Sequence, residues 1–156
     1  MDNVLQTLRY FSKQCRQVIE ESNLLDLSLY TDITSVCICS MGASSFGYFV
    51  VKALFNDEIT IPTVLNSDYK LASFINNSTL VFLSSYSGAT EEVVANFSEA
   101  LSKGAKITGQ TQENSILGNL LLNNNLPFYK IIPTYNPSGQ PRMATGYMII
   151  GLINIL

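Results

Sequence analysis

The sequence predicts an α/β fold, a doubly wound parallel sheet with helices on both sides. Three observations predict it. Five short β-type runs alternate with helical stretches, and strands that alternate with helices pair in parallel through right-handed crossovers. Several of those runs, such as Leu80-Val81-Phe82-Leu83, are apolar without interruption, as a strand covered on both faces requires. Apolar residues make up 47% of the 156-residue chain and charged residues 13%, a balance that suits one buried core and argues against disorder.

Each element has its own reason. A leading helix is expected within residues 1–22, with its regular part over 3–21. There Val4, Leu8, Phe11, Cys15, Val18 and Ile19 recur at helical spacing and should form one apolar side. Strands are expected over 35–39, 60–65, 79–84, 105–109 and 128–132. Helices are expected over 44–55, 68–75, 90–103 and 114–122, and a last one over 143–156. The polar clusters Asn76-Asn77-Ser78 and Asn123-Asn124-Asn125 read as turns. The last helix is apolar nearly all round, so it needs cover on more than one side. A second domain or another subunit is the expected cover. Low overall charge points the same way, to surface that is not meant to face water.

Composition also excludes function classes. The formal net charge is −3 and no basic run exists, which argues against nucleic acid or an anionic membrane as the main partner. There is no histidine, so this chain supplies no histidine base, histidine triad or histidine metal site. Cys15, Cys37 and Cys39 lack framework spacing and read as reduced thiols of a cytoplasmic protein. Cys37 and Cys39 share one face of a strand, and buried core is the better reading over a metal site. The amino terminus lacks a signal-peptide pattern, and the apolar stretch 143–156 is too short to span a bilayer.

In open parallel sheets ligands bind beyond the carboxyl ends of the strands. Two loops leave strands there with small, hydroxyl-rich residues. One is Ser84-Ser85-Tyr86-Ser87-Gly88-Ala89-Thr90, followed by Glu91-Glu92 and an apolar helix. A helix start carries unpaired N–H groups and partial positive charge, which favour an anion. Gly88 allows close approach of the backbone, and Ser85, Ser87 and Thr90 add hydroxyl donors. Together they satisfy phosphate oxygens without a lysine. Spacing alone leaves a second reading open, a plain strand-to-helix turn with Thr90 as its cap. Glu91 and Glu92 suit the helix dipole but repel phosphate. They are either solvated first-turn acids or a contact to sugar hydroxyls.

The other loop is Ser40-Met41-Gly42-Ala43-Ser44-Ser45. It has neither a dinucleotide fingerprint nor a Walker lysine, so a flavodoxin-like nucleotide-binding role has weak support. Gly42 and Ser44 either hold a sugar hydroxyl or phosphate edge, or Gly42 only permits a tight turn. Arg142 sits at the start of the last helix in Pro137-Ser138-Gly139-Gln140-Pro141-Arg142. A cation there opposes the helix dipole and calls for a compensating anion, either a ligand or a surface acid.

At these residues the sequence resembles the SIS (sugar isomerase) superfamily, and more narrowly the amino-terminal half of bifunctional phosphoglucose/phosphomannose isomerases. Met41-Gly42-Ala43-Ser44, Ser85-Tyr86-Ser87-Gly88-Ala89-Thr90-Glu91-Glu92 and Pro141-Arg142-Met143-Ala144-Thr145-Gly146-Tyr147-Met148 carry the resemblance in order and spacing. It implies a three-layer, flavodoxin-like sandwich with a five-stranded parallel sheet, and a single SIS domain over 1–156, half of a two-domain isomerase. It implies that Ser85, Ser87 and Thr90 grip a substrate phosphate. It places Gly42 and Ser44 at the sugar, and gives Arg142 the charge of an enediolate to stabilise. The implied ligands are fructose 6-phosphate, glucose 6-phosphate and mannose 6-phosphate, with no cofactor and no metal. A homodimer, or pairing with a second SIS domain, is implied as well.

Ala43 and Ala89 depart from the family, which usually carries glycine and asparagine there. The family's base glutamate and ring-opening histidine lie in a second SIS domain, which is expected outside this chain. Two hypotheses follow. The chain is an isomerase domain, inactive until completed, or it is a non-catalytic phosphosugar-binding sensor or regulatory module.

Overall fold

The computed structural model describes residues 2–23, 25–28 and 30–156. Five strands form one sheet, β1 (Ser35–Ser40), β2 (Thr63–Asn66), β3 (Thr79–Ser84), β4 (Lys106–Thr111) and β5 (Tyr129–Lys130). All neighbours pair in parallel in the order β2-β1-β3-β4-β5. Helices α1 (Asn3–Arg9), α2 (Phe11–Ser22), α3 (Phe46–Phe55), α4 (Glu91–Ser102), α5 (Ile116–Asn123) and α6 (Thr145–Ile155) complete the chain. One-turn helices at Gly42–Ser45 and Pro141–Met143 precede α3 and α6.

Strand alternation divides the core in two, giving the three-layer sandwich. Val36 and Ile38 of β1 and Leu80 and Phe82 of β3 face α2, α3 and α6. Cys37, Cys39, Val81 and Leu83 face α4 and α5. Both central strands are buried along their full length, which explains their unbroken apolar character. The two cysteine sulfurs lie 3.9 Å apart within the second layer, as the core reading expects.

Three expectations are corrected. The leading helix breaks at Tyr10, and its apolar side is buried only in part, at Val18. Leu8, Phe11 and Ile19 are exposed, whereas Thr7, Gln14, Val18 and Ser22 are buried. The polar members of that buried face are paired. Thr7 accepts from the Ser138 N–H, Ser22 accepts from Asn154, and Gln14 bonds three backbone groups around α6. Specific hydrogen bonds thus outweigh the hydrophobic pattern. Tyr10 leaves helical geometry where its ring meets the edge of Tyr135, centroids 5.6 Å apart.

Residues 68–75 form turns rather than a helix. Several of their backbone groups find tertiary partners, and the one backbone bond among themselves is the turn from the Ile75 N–H to the Ala72 carbonyl, among the described residues. Asn96 of α4 donates to the Asp68 and Tyr69 carbonyls, and Glu99 accepts from the Leu71 N–H. Leu71 and Ile75, whose spacing suggests a helix, anchor this irregular crossover in the α4 layer.

The last helix finds its cover within the chain. Residues Gly146, Tyr147, Met148, Gly151, Leu152 and Ile155 are buried, and α6 packs between α2 and α3 above the sheet. A Cβ on Gly146 would lie 2.7 Å from the Gln14 Cβ, so the two helices meet where glycine removes the side chain. Exposed apolar residues on α1, α2 and α3 include Leu5, Leu8, Phe11, Phe46, Phe49 and Leu54, and others lie on α4, α5 and the loops. Among the described residues, no helix is long and apolar enough to cross a membrane.

Candidate functional site

The strand order reverses direction between β1 and β3, so their following segments part at the carboxyl edge, where open parallel sheets bind ligands. Both hydroxyl-rich loops leave the sheet there. The first turns sharply at Gly42, whose φ of 56° is in the left-handed region, and runs through the one-turn helix into α3. Ser40 donates to Ser45 across the turn at 2.9 Å. Gly42 is exposed, with nothing within 4 Å of where its Cβ would be. Its place therefore accords with a tight turn and with an open edge for a ligand.

The second loop is more tightly built. Gly88 has φ 63°, and a Cβ there would collide with the Ser115 hydroxyl. Its N–H donates to the Ser85 hydroxyl at 3.1 Å, and its carbonyl accepts from the Leu117 N–H at 2.9 Å. Ser85 is buried, and its hydroxyl lies 2.8 Å from that of Thr90. Thr90 occupies the cap position of α4 yet makes no side-chain capping bond. With Ser85 as donor, the Thr90 hydrogen is left for an outside acceptor. Ser87 is exposed and accepts from the Ala89 N–H at 3.3 Å. Among the described residues, no acceptor meets the N–H groups of Glu91, Glu92 or Val93, and the first bond into the helix is Val94 N–H to the Thr90 carbonyl. The result is an uncapped helix start at the end of a central strand, edged by hydroxyls.

The structure brings the loops of the three motifs together. Ser44 accepts from the Tyr86 N–H at 3.4 Å, and its carbonyl accepts from Ser84 at 3.5 Å, joining the first loop to the second. Asn136 donates to the Tyr86 hydroxyl at 2.8 Å, joining the second loop to the segment that carries Arg142. The turns Gly42–Ser45 and Pro141–Met143 pack against each other. Arg142 lies in that one-turn helix, before α6 rather than inside it. It is exposed, and it has no acidic partner among the described residues. Burial pushes the Tyr86 phenol above its ordinary value, which hydrogen bonds from Asn136 and Gln112 only partly offset, so it stays neutral.

Two supports escape sequence reasoning. Gln14, fully buried, donates to the Tyr135 and Met143 carbonyls and accepts from the Gly146 N–H. It clamps both ends of the Arg142 segment across more than a hundred residues of chain. A polar residue inside an apolar helical pattern is the available signal. Asn136 is the other, in an Asn-Pro pair whose turn character is legible but whose partner Tyr86 is not. Among the described residues, no group of three or more His, Cys, Asp or Glu is placed to hold a metal ion.

No family model matches the chain. The chain is 37% identical over 123 residues to the bifunctional phosphoglucose/phosphomannose isomerase of Caldicellulosiruptor bescii, covering 78% of this chain and 34% of that protein. It thus spans about a third of the length of the curated relatives it matches. Its fold is similar to the C-terminal domain of glucosamine-fructose-6-phosphate aminotransferase from Francisella tularensis, with a TM-score of 0.75 and 12% identity over 98% of this chain and 46% of that one. It is similar also to the Vibrio vulnificus NanR protein complexed with ManNAc-6P, with a TM-score of 0.64 and 17% identity over 94% of this chain and 59% of that one.

Proposed function

We propose, from the premise that this chain is a SIS domain related to the bifunctional phosphoglucose/phosphomannose isomerases, that it binds a sugar phosphate at the start of α4. The observation that carries the proposal is the uncapped helix start, where Thr90 turns its hydroxyl to Ser85 instead of to its own helix. Phosphate is held there by main-chain N–H groups and by the Ser87 and Thr90 hydroxyls. Ser85 acts from beneath, fixing Gly88 and orienting Thr90. The sugar extends toward Gly42 and Ser44.

The reaction served is aldose–ketose exchange among glucose 6-phosphate, fructose 6-phosphate and mannose 6-phosphate. A proton moves between adjacent carbons through an enediolate, and negative charge grows on the sugar oxygens. Arg142 stabilises that charge from a loop braced by Gln14 and Asn136. The ring-opening histidine comes from outside these residues, since this chain has none, and the base glutamate comes with it from the second domain. A second SIS domain or a second copy covers the exposed apolar residues of α1–α3, and the complex works in the cytoplasm. The missing histidine also favours a second reading, a phosphosugar-binding regulatory module that performs no chemistry.

Titration of the chain with fructose 6-phosphate by calorimetry tests the site. Ser87→Ala and Thr90→Ala should each weaken binding roughly tenfold, the usual effect of losing one hydrogen bond to a charged group. Their unfolding midpoints should stay near that of the parent. Unchanged titration curves for both variants would refute the grip.

A further inference from the structure

The crossover at residues 67–71 is held against α4 at several points. Asn96, only 1% exposed, donates to the Asp68 and Tyr69 carbonyls at 3.0 and 3.1 Å and accepts from Asn66 at 2.8 Å. Ser67 donates to the Ser40 carbonyl at 2.8 Å, and the Leu71 N–H donates to Glu99 at 2.8 Å. The backbone is therefore set, and the Tyr69 ring stands half exposed beside the first turn of α4. Its phenol donates to Glu91 at 3.0 Å, and that bond with the nearby acidic charges pushes the phenol above its ordinary value.

Glu91 is the first residue of α4. A carboxylate in a first turn is drawn to the same unpaired N–H groups that attract any anion. Left to rotate, it competes with a bound phosphate for those donors and repels its charge. We propose that Tyr69 is a positioning residue which holds the Glu91 carboxylate out of the anion site at the start of α4. This deepens the phosphate-site reading and rests on it. Glu91 then needs no sugar contact, because it is tethered by a residue from a different strand's loop.

A double-mutant cycle tests this with the full chain, using fructose 6-phosphate and, separately, inorganic phosphate as titrants. Tyr69→Phe keeps the ring and removes only the tether, and it should weaken both ligands about fivefold. Glu91→Gln alone should leave binding within about twofold, and the double variant should return to the parent affinity. Rescue by Glu91→Gln separates this role from a merely structural one, which the second change cannot restore. Unchanged binding by Tyr69→Phe, or a loss that Glu91→Gln does not repair, overturns the inference while leaving the phosphate site intact. Failure of the parent chain to bind either titrant overturns both.

Discussion

At the scale of single residues, the candidate site depends on where each hydroxyl points. Ser85, Ser87 and Thr90 look alike as letters in a motif. In the structure they divide into a buried hydroxyl that shapes the loop, Ser85, a half-buried one, Thr90, and an exposed one, Ser87. That division follows from Gly88, whose N–H reaches Ser85 only because the chain passes through a left-handed turn. Gly88→Ala should therefore damage fold and site together. The backbone strain is about 1–2 kcal/mol, and the new methyl would press on Ser115 and Thr111 besides. A loss of about 3 kcal/mol in urea unfolding is expected, with phosphosugar binding abolished. The glycine is legible as a loop breaker; its contact with the start of α5 is not, because Ser115 lies far along the chain, beyond α4 and β4.

At the scale of elements, helical periodicity locates the helices better than it orients them. The ranges expected for α3, α4, α5 and α6 all contain helices. In α2, however, the buried stripe is the one that carries Gln14 and Ser22. An apolar stripe predicts burial only where a partner surface exists to receive it. Here the neighbouring surface is a set of backbone groups around residues 135–146 that demand hydrogen bonds, and Gln14 answers them. Gln14→Met, close in shape, would leave the buried Gly146 N–H and the half-buried Tyr135 and Met143 carbonyls unpaired. Stability should fall by about 3 kcal/mol in chemical denaturation. The Arg142 segment should also become more open to hydrogen exchange, with helix α4 unaffected. The irregular crossover at 68–75 has the same cause, since Asn96 and Glu99 of α4 take the Asp68 and Tyr69 carbonyls and the Leu71 N–H that a helix would have used.

At the scale of the whole molecule, the strand order decides that these loops meet at all. Placing β1 and β3 side by side at the reversal of winding gathers the segments after Ser40 and Ser84, and the turn before α6 closes over them. Leu5, Leu8 and Phe11 of the first two helices and Phe46, Phe49 and Leu54 of α3 are exposed. We expect this chain alone to bind fructose 6-phosphate without converting it. Mixed with a separately made carboxyl-terminal half of a two-domain relative, it should produce glucose 6-phosphate in a coupled assay. Binding without turnover in both samples would favour the regulatory module.

Sequence by itself determined the layer type, the parallel sheet and the two hydroxyl-rich loops, because apolar runs, turn residues and helix starts are local and repeat in one dimension. Tertiary structure alone decided which face of α2 is buried, that residues 68–75 forgo a helix, and that Tyr69 reaches Glu91. Those outcomes depend on hydrogen-bonding groups far apart in the chain competing for partners in a confined space. No local pattern records which of them will be neighbours.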